Sequence, residues 1–239
     1  MKNKIVVIGS SNVDMVMKMD HLPARGETVT DAEFIQVYGG KGANQAVGAA
    51  RAGGDVAFVN CVGDDAFAPL MVENFKRDGI NTDYIFHEKG ISSGTALIMI
   101  GDSGNNYLSV APGANYRLTP EYIDQCEDLM AGAEIIILQY EIPAETLAHV
   151  IKKAGDMTSR VLWNFAPARD IDPSLLPMVD ILVVNEVEAA FLTGQSVTNR
   201  EEIEAAANTL KAKGIDTVII TLGAEGSYVV SDNYKEKIP

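Results

Sequence analysis

Histidine and cysteine are scarce in this chain, with three and two respectively among 239 residues. His21, His87 and His149 are widely scattered and show no metal-ligand spacing, which argues against a histidine metal centre. Cys61 falls in a strand-like pattern and Cys126 in a helix-like one. Two such cysteines make no disulfide framework, and buried thiols in a reducing cytoplasm are expected. Basic residues are also in deficit, 19 against 33 acidic, for a net charge of −14. Nucleic acid selects basic faces, so it is excluded as the expected partner, and the excess acid reads as solubility. No apolar run approaches the length of a membrane span, so no membrane partner is expected. The apolar run 5–8 is too short for a signal peptide and leads into Gly9-Ser10-Ser11 rather than a cleavage site. There is no Gly-x-x-x-x-Gly-Lys-Ser/Thr loop, and no Gly-x-Gly-x-x-Gly after the first strand, which counts against a nicotinamide-dependent reductase. Residues 90–94 fit a nucleophile-elbow pattern formally, but they precede a strand rather than open a helix.

The composition, 47% hydrophobic and 22% charged, is ordinary for a soluble globular enzyme. Continuous apolar runs at 4–9, 56–62, 135–139, 161–164, 181–185 and 217–222 read as strands buried on both faces. Amphipathic stretches lie between them. Phe67, Leu70, Met71 and Phe75 form one stripe; Ile203, Ala207 and Leu210 form another. Thr119-Pro120 predicts a capped helix start, with Tyr122, Ile123, Cys126, Leu129 and Met130 continuing as its buried face. The alternation predicts right-handed crossovers around a mainly parallel sheet. Two stretches break the rhythm. Residues 14–38 read as strands and turns with alternating methionines, and 95–111 as a hairpin around Gly101-Asp102-Ser103-Gly104. They predict a small β sheet: a lid that also serves as a dimer contact, or an edge extension of the main sheet.

Four constellations are candidates for chemistry. Gly39-Gly40-Lys41-Gly42-Ala43-Asn44 puts a glycine turn, a cation and a side-chain amide at the head of a helix, where unpaired N–H groups collect. A glycine turn opening a tightly packed helix explains the residues equally well. Asn12 and Asp14 share one side of an extended segment at a strand end, where a carboxylate can accept two hydroxyl protons; an Asx turn is the plainer alternative. Asn185 and Glu188, three apart at a helix start, suit either Mg²⁺ beside phosphates or helix capping. Thr221-Leu222-Gly223-Ala224-Glu225-Gly226 suits a phosphate or ribose contact through backbone amides, or a tight hairpin turn.

Taken in order along the chain, these motifs, with the turn Leu22-Pro23-Ala24-Arg25-Gly26-Glu27-Thr28, resemble the PfkB-type carbohydrate kinases, the ribokinase family. The resemblance covers essentially the whole chain. It implies a ribokinase-like three-layer α/β sandwich with a small β lid, one domain over 1–239, and ATP-dependent phosphorylation of a sugar, ribose first among candidates. By that resemblance Asn12, Asp14, Gly40, Lys41, Asn44 and Glu141 hold the sugar; Asn185, Thr221, Gly223 and Gly226 line the nucleotide; and Glu188 serves Mg²⁺. K⁺ dependence follows from the same resemblance, while a homodimer through the lid is expected from the alternating methionines and a cytoplasmic location from the buried thiols. A related kinase acting on another sugar or nucleoside, and a non-catalytic sugar-binding homologue, are the alternatives.

One departure stands out. The family's second signature, a Gly-Ala-Gly-Asp-like turn carrying the catalytic aspartate and the anion hole, is absent from these 239 residues. No catalytic base is therefore assigned within the chain, and the base is expected beyond Pro239. The expectation is a C-terminally incomplete chain, inactive as given, with a naturally shortened homologue as the competing explanation.

Overall fold

The computed structural model describes residues 4–239. The chain opens with β1 (Lys4–Ile8), β2 (Asn12–Met19) and β3 (Glu33–Gly39), then α1 (Lys41–Arg51), β4 (Asp55–Val62), α2 (Ala68–Arg77) and β5 (Ile85–His87). A hairpin follows, β6 (Gly94–Gly101) with β7 (Asn106–Ala111), then two short helices, α3 (Pro120–Asp124) and α4 (Glu127–Ala131). The second half alternates β8 (Ile135–Leu138), α5 (Ala144–Ala154), β9 (Arg160–Asn164), β10 (Ile181–Asn185), α6 (Glu186–Thr193), α7 (Arg200–Lys211) and β11 (Thr217–Thr221). β12 (Ser227–Val230) and β13 (Lys235–Ile238) follow, and Pro239 is the last residue described. The base expected beyond Pro239 thus lies outside the described residues.

Nine strands form one sheet in the order β13-β12-β11-β10-β9-β8-β1-β4-β5, parallel from β5 to β11 and antiparallel at β12 and β13. β1 is an interior strand, Ile5 facing Val56 on one side and Ile135 on the other. Its period-2 alternation divides it between two cores. Val6 and Ile8 join Ile136, Leu138, Val150 and Trp163 on one face, while Val7 joins Phe58, Met71, Phe75 and Ala46 on the other. Fully burying a side chain such as Phe58 or Met71 stabilises by about 1.5–3 kcal/mol each. α1 packs close to the sheet because it offers Gly42, Ala43 and Ala46 there.

The predicted small sheet is separate, four strands in the order β3-β2-β6-β7, with β2 and β6 parallel. It is not an edge extension of the large sheet. Phe34, Leu97, Tyr107 and Leu108 are exposed on it.

Three local expectations need correction. The single helix predicted over 119–130 is two five-residue helices. Cys126 N–H bonds to Ile123, three residues back, and the tightened turn still brings Ile123, Cys126 and Met130 to the core. Thr119 has the extended backbone of a cap, but its hydroxyl makes no capping bond. Leu70 is exposed, since the buried face of α2 runs through Ala68, Met71 and Phe75 and Leu70 falls off it. Both cysteines are free and buried, and burial pushes the Cys61 thiol up to about 12 and Cys126 to about 11. Neither is poised as a nucleophile. No helix among the described residues is long and apolar enough to cross a membrane.

Candidate active site

The carboxyl ends of β1 and β8 and the head of α1 meet at one point. β1 runs into Gly9, Ser10 and Ser11; β8 runs into Gln139, Tyr140 and Glu141. α1 has no acidic residue in its first turn and no side-chain cap from Gly40. Glu141, 100 residues away in sequence, supplies the acceptor: Lys41 N–H donates to its Oε2 at 2.9 Å and Ser10 Oγ donates to the same oxygen at 2.6 Å. Ser10 is tied back to the helix, accepting from Gly42 N–H at 3.3 Å through Oγ and from Ala43 N–H at 2.8 Å through its carbonyl. The glycines make this approach possible. A Cβ at Gly42 would lie 2.5 Å from Ser10 N, and one at Gly40, whose φ is 90°, would lie 2.8 Å from the Ser11 Cα.

Asp14 stands half-buried on β2 beside Gly39, where a Cβ would come within 2.1 Å of its Oδ2. Burial pushes its carboxyl above the ordinary range, and the nearby charge of Glu141 adds to the effect. Two carboxylates thus share a region with a helix N-terminus and Lys41. Asn12 is buried two residues earlier, and its Oδ1 accepts from Asn115 Nδ2 at 2.9 Å.

A cavity of about 310 Å³ opens here, lined by Asn12, Lys41, Asn115, Tyr116, Glu141 and Arg169, with Leu108 and Val110 of β7 on its outer side. The small sheet therefore reaches the cavity mouth. Arg169 sits 5.8 Å from the Tyr116 ring centroid and 5.6 Å from that of Tyr140, and donates to the Tyr116 hydroxyl. Other cavities of similar size occur, one near Lys4, Asp55 and Asp128. That one lies at the amino ends of the strands, whereas α/β sheets bind ligands beyond the carboxyl ends.

The second group of expected residues sits further along the same rim. Asn185 and Glu188 form a complete capping box on α6: Glu188 N–H donates to Asn185 Oδ1 at 2.8 Å and Asn185 N–H to Glu188 Oε2 at 2.9 Å. The capping alternative is therefore realised. Burial raises the Glu188 carboxyl, opposed by the Asn185 amide and by the charge of Lys41. Lys41 thus acts on both carboxylate groups, through its backbone on Glu141 and its side-chain charge on Glu188. Thr221 is the register partner of Asn185 and donates to the Val184 carbonyl at 3.3 Å. Gly223 begins a 3-10 turn with φ 56°, and Gly226 ends it with φ 89°. A Cβ at Gly226 would lie 2.0 Å from the Ile238 carbonyl and 2.6 Å from the Pro239 carbonyl carbon, so this glycine is required by packing against the end of β13.

Of the expected sugar contacts, Asn12, Lys41 and Glu141 line the cavity, and Asp14 and Gly40 adjoin it. Asn44 does not join them: it is exposed on the flank of α1, in a separate depression with Tyr38, Val47 and Asn74. Sequence reasoning missed Ser10, Asn60, Asn115 and Arg169. Only the Pro112-Gly113 turn ahead of Asn115 carried a local sign, Gly113 having φ 52°.

The model of the pfkB family of carbohydrate kinases matches residues 2–239. The chain belongs to that family. It is 38% identical to a ribokinase of Haemophilus influenzae, over 96% of this chain and 75% of the relative. It is 37% identical to a deoxyribokinase of Salmonella typhi, over 98% and 77%. Arabidopsis thaliana ribokinase, solved in complex with ribose and ATP, superposes with a TM-score of 0.91 at 30% identity, over 100% of this chain and 78% of that one. The α/β ribokinase-like fold expected from the motifs is the fold observed.

Proposed function

We propose that the protein phosphorylates D-ribose at its primary 5-hydroxyl with ATP as donor. The observation that carries this reading is the meeting of Asp14, Glu141, Asn12 and Lys41 around one cavity at the strand ends. Two carboxylates accept hydroxyl protons, an amide and a cation donate, and together they suit a polyhydroxylated ligand. The ribokinase relatives support ribose among such ligands. Gly40 keeps the helix head close to the sugar. Asn44 belongs to the set by resemblance, and its exposed position requires its side chain to swing toward the cavity.

Asn185, Thr221, Gly223 and Gly226 are assigned to the nucleotide on the neighbouring strand ends. Glu188 fits a metal role in part: Oε2 is held by Asn185, while Oε1 has no protein partner among the described residues. Mg²⁺ takes few protein ligands and, when bound, neutralises phosphate charge. A cation beside Glu188 offsets the burial that otherwise favours its neutral form. Lys41, whose charge already reaches Glu188, is placed to orient the transferring group toward the sugar. The aspartate that serves as base in the family's second signature has no counterpart in the residues up to Pro239, so no proton acceptor is assigned here. K⁺ dependence rests on the resemblance alone and is checked by exchanging K⁺ for Na⁺. The exposed apolar residues of the small sheet support a homodimer through the lid, checked by light scattering.

A second reading has its own support, since the deoxyribokinase relative is as similar as the ribokinases. Titrating ribose, 2-deoxyribose, fructose and adenosine, each with and without ATP, and following ADP release decides among them. Preference for ribose is expected. Tighter binding of fructose or adenosine would sink the assignment, and ribose binding without turnover would favour a sugar-binding homologue.

A further inference from the structure

The polar network behind the cavity fixes which atom Asn12 presents to a ligand. Asparagine amides are ambiguous in isolation and are settled by partners whose roles are unambiguous. Backbone groups provide that anchor here. Ser11 N–H, a donor only, points at Asn115 Oδ1 at 2.9 Å, and the Ser11 carbonyl, an acceptor only, receives Asn115 Nδ2 at 3.0 Å. Asn60 repeats the argument: its Nδ2 donates to the Gly9 carbonyl at 2.7 Å and lies 3.4 Å from Asn115 Oδ1, while its Oδ1 accepts from Ser11 Oγ at 2.8 Å. Asn115 can therefore face only one way, with Nδ2 toward Asn12. The Asn12 atom that meets it at 2.9 Å must be the oxygen.

The room for this contact is built in. A Cβ at Gly94 would fall 2.2 Å from both Asn115 Nδ2 and Asn12 Oδ1. Asn60, Asn115 and Ser11 are all nearly inaccessible to solvent, so an unpaired group among them would be costly. Asn12 Nδ2 has no protein acceptor among the described residues, and Asn12 lines the cavity.

We infer that Asn115 is a positioning residue, which consumes the Asn12 oxygen and so leaves the Asn12 NH₂ as a fixed donor to a substrate oxygen. The inference rests on the sugar reading for its ligand. It complements the carboxylates: Asp14 and Glu141 accept hydroxyl protons, and the amide supplies the hydrogen bond that a hydroxyl or ring oxygen receives. Beside the mobile Lys41 cation, the amide adds a fixed neutral donor, so the site meets oxygen lone pairs as well as hydroxyl protons.

The test pairs side-chain ¹⁵NH₂ spectra with ribose calorimetry on the wild type, Asn115→Asp and Asn12→Asp, using thermal melts to confirm folding. The Asn12 amide signal is assigned by its loss in Asn12→Asp. In the unliganded wild type its protons should show no protein hydrogen bond, and they should shift when ribose is added. In Asn115→Asp the Asn12 amide should turn to donate to the new carboxylate, its signal should become ribose-insensitive, and affinity should fall about tenfold or more. Asn12→Asp keeps the bond from Asn115 while placing an acceptor in the cavity, so it should lose affinity similarly even where Asn115→Asp does not fold. Wild-type affinity in either folded variant overturns the inference, as does an Asn12 amide already bonded to protein in the unliganded state. A wild type that ignores ribose yet shows the free Asn12 amide contradicts the substrate assignment and upholds the orientation.

Discussion

Replacing Glu141 with alanine should damage both the fold and the site, by separable amounts. The Glu141 carboxylate caps the first residue of α1, accepting from Lys41 N–H at 2.9 Å and from Ser10 Oγ at 2.6 Å, while Ser10 Oγ accepts from Gly42 N–H at 3.3 Å. Loss of a helix cap costs about 0.5–2 kcal/mol, and loss of a charge-assisted hydrogen bond about 1.5–3 kcal/mol. Two effects favour the lower ends. Glu141 is half-exposed, so water can replace it, and its charge works against Asp14, so removing it relieves that carboxyl. The net expectation is a loss of about 2–3 kcal/mol, or roughly 4–12 °C in Tm for a chain of this size. Glu141→Gln keeps an acceptor for Lys41 N–H but not the charge, and should cost only about 1 kcal/mol. Both variants should bind ribose more weakly, because each removes a carboxylate acceptor from the cavity. Differential scanning fluorimetry with and without ribose measures the two effects together. An alanine variant melting within about 1 °C of wild type would refute the capping argument. Unchanged stabilisation by ribose would remove Glu141 from the sugar site.

Asp14 gives a prediction with a definite sign. Its folded-state carboxyl is raised by burial, so the folded protein holds the proton more tightly than the unfolded chain does. Stability is therefore lost as pH rises through the window between the ordinary carboxylate value and the raised one. Asp14→Asn should melt higher than wild type near neutral pH, with the advantage vanishing below the ordinary carboxylate range; a pH series of melts with no such crossover contradicts it. The turn glycines should separate by role. Gly226→Ala should cost several kcal/mol, because its Cβ meets the Ile238 carbonyl at 2.0 Å, while Gly223→Ala meets nothing within 4 Å and should cost about 1 kcal/mol for its positive φ. If Gly223→Ala leaves ATP affinity unchanged by calorimetry, the turn is a hairpin and nothing more.

Much of the fold was legible because its signals are local. Residues 56–62, 181–185 and 217–222 are continuous apolar runs, and each proved to be a strand of the large sheet with a parallel neighbour; 56–62 is covered on both faces, whereas 181–185 and 217–222 bury alternate residues and leave the other face partly open. The hairpin around Gly101 to Gly104 likewise followed from alternation and turn residues. The break at Gln125 and Cys126 was not legible, because the apolar spacing is the same whether the helix is continuous or tightened there. The site divides along the same line. Lys41 and Asp14 announce themselves through their neighbours in sequence. Asn115 acts on Ser11 from 104 residues away, and no periodicity records such a contact. Asn185 and Glu188 show a different difficulty: their spacing serves capping and metal binding alike, and the observed capping box occupies only one Glu188 oxygen.

The central claim is that a sugar binds where Asp14 faces the head of α1. Calorimetric titration of D-ribose into wild type and Asp14→Ala tests it most directly, with melts confirming that both are folded. The account predicts saturable binding to the wild type and loss of most of that affinity in the variant. Equal affinity in the two proteins would place the sugar elsewhere and contradict the account.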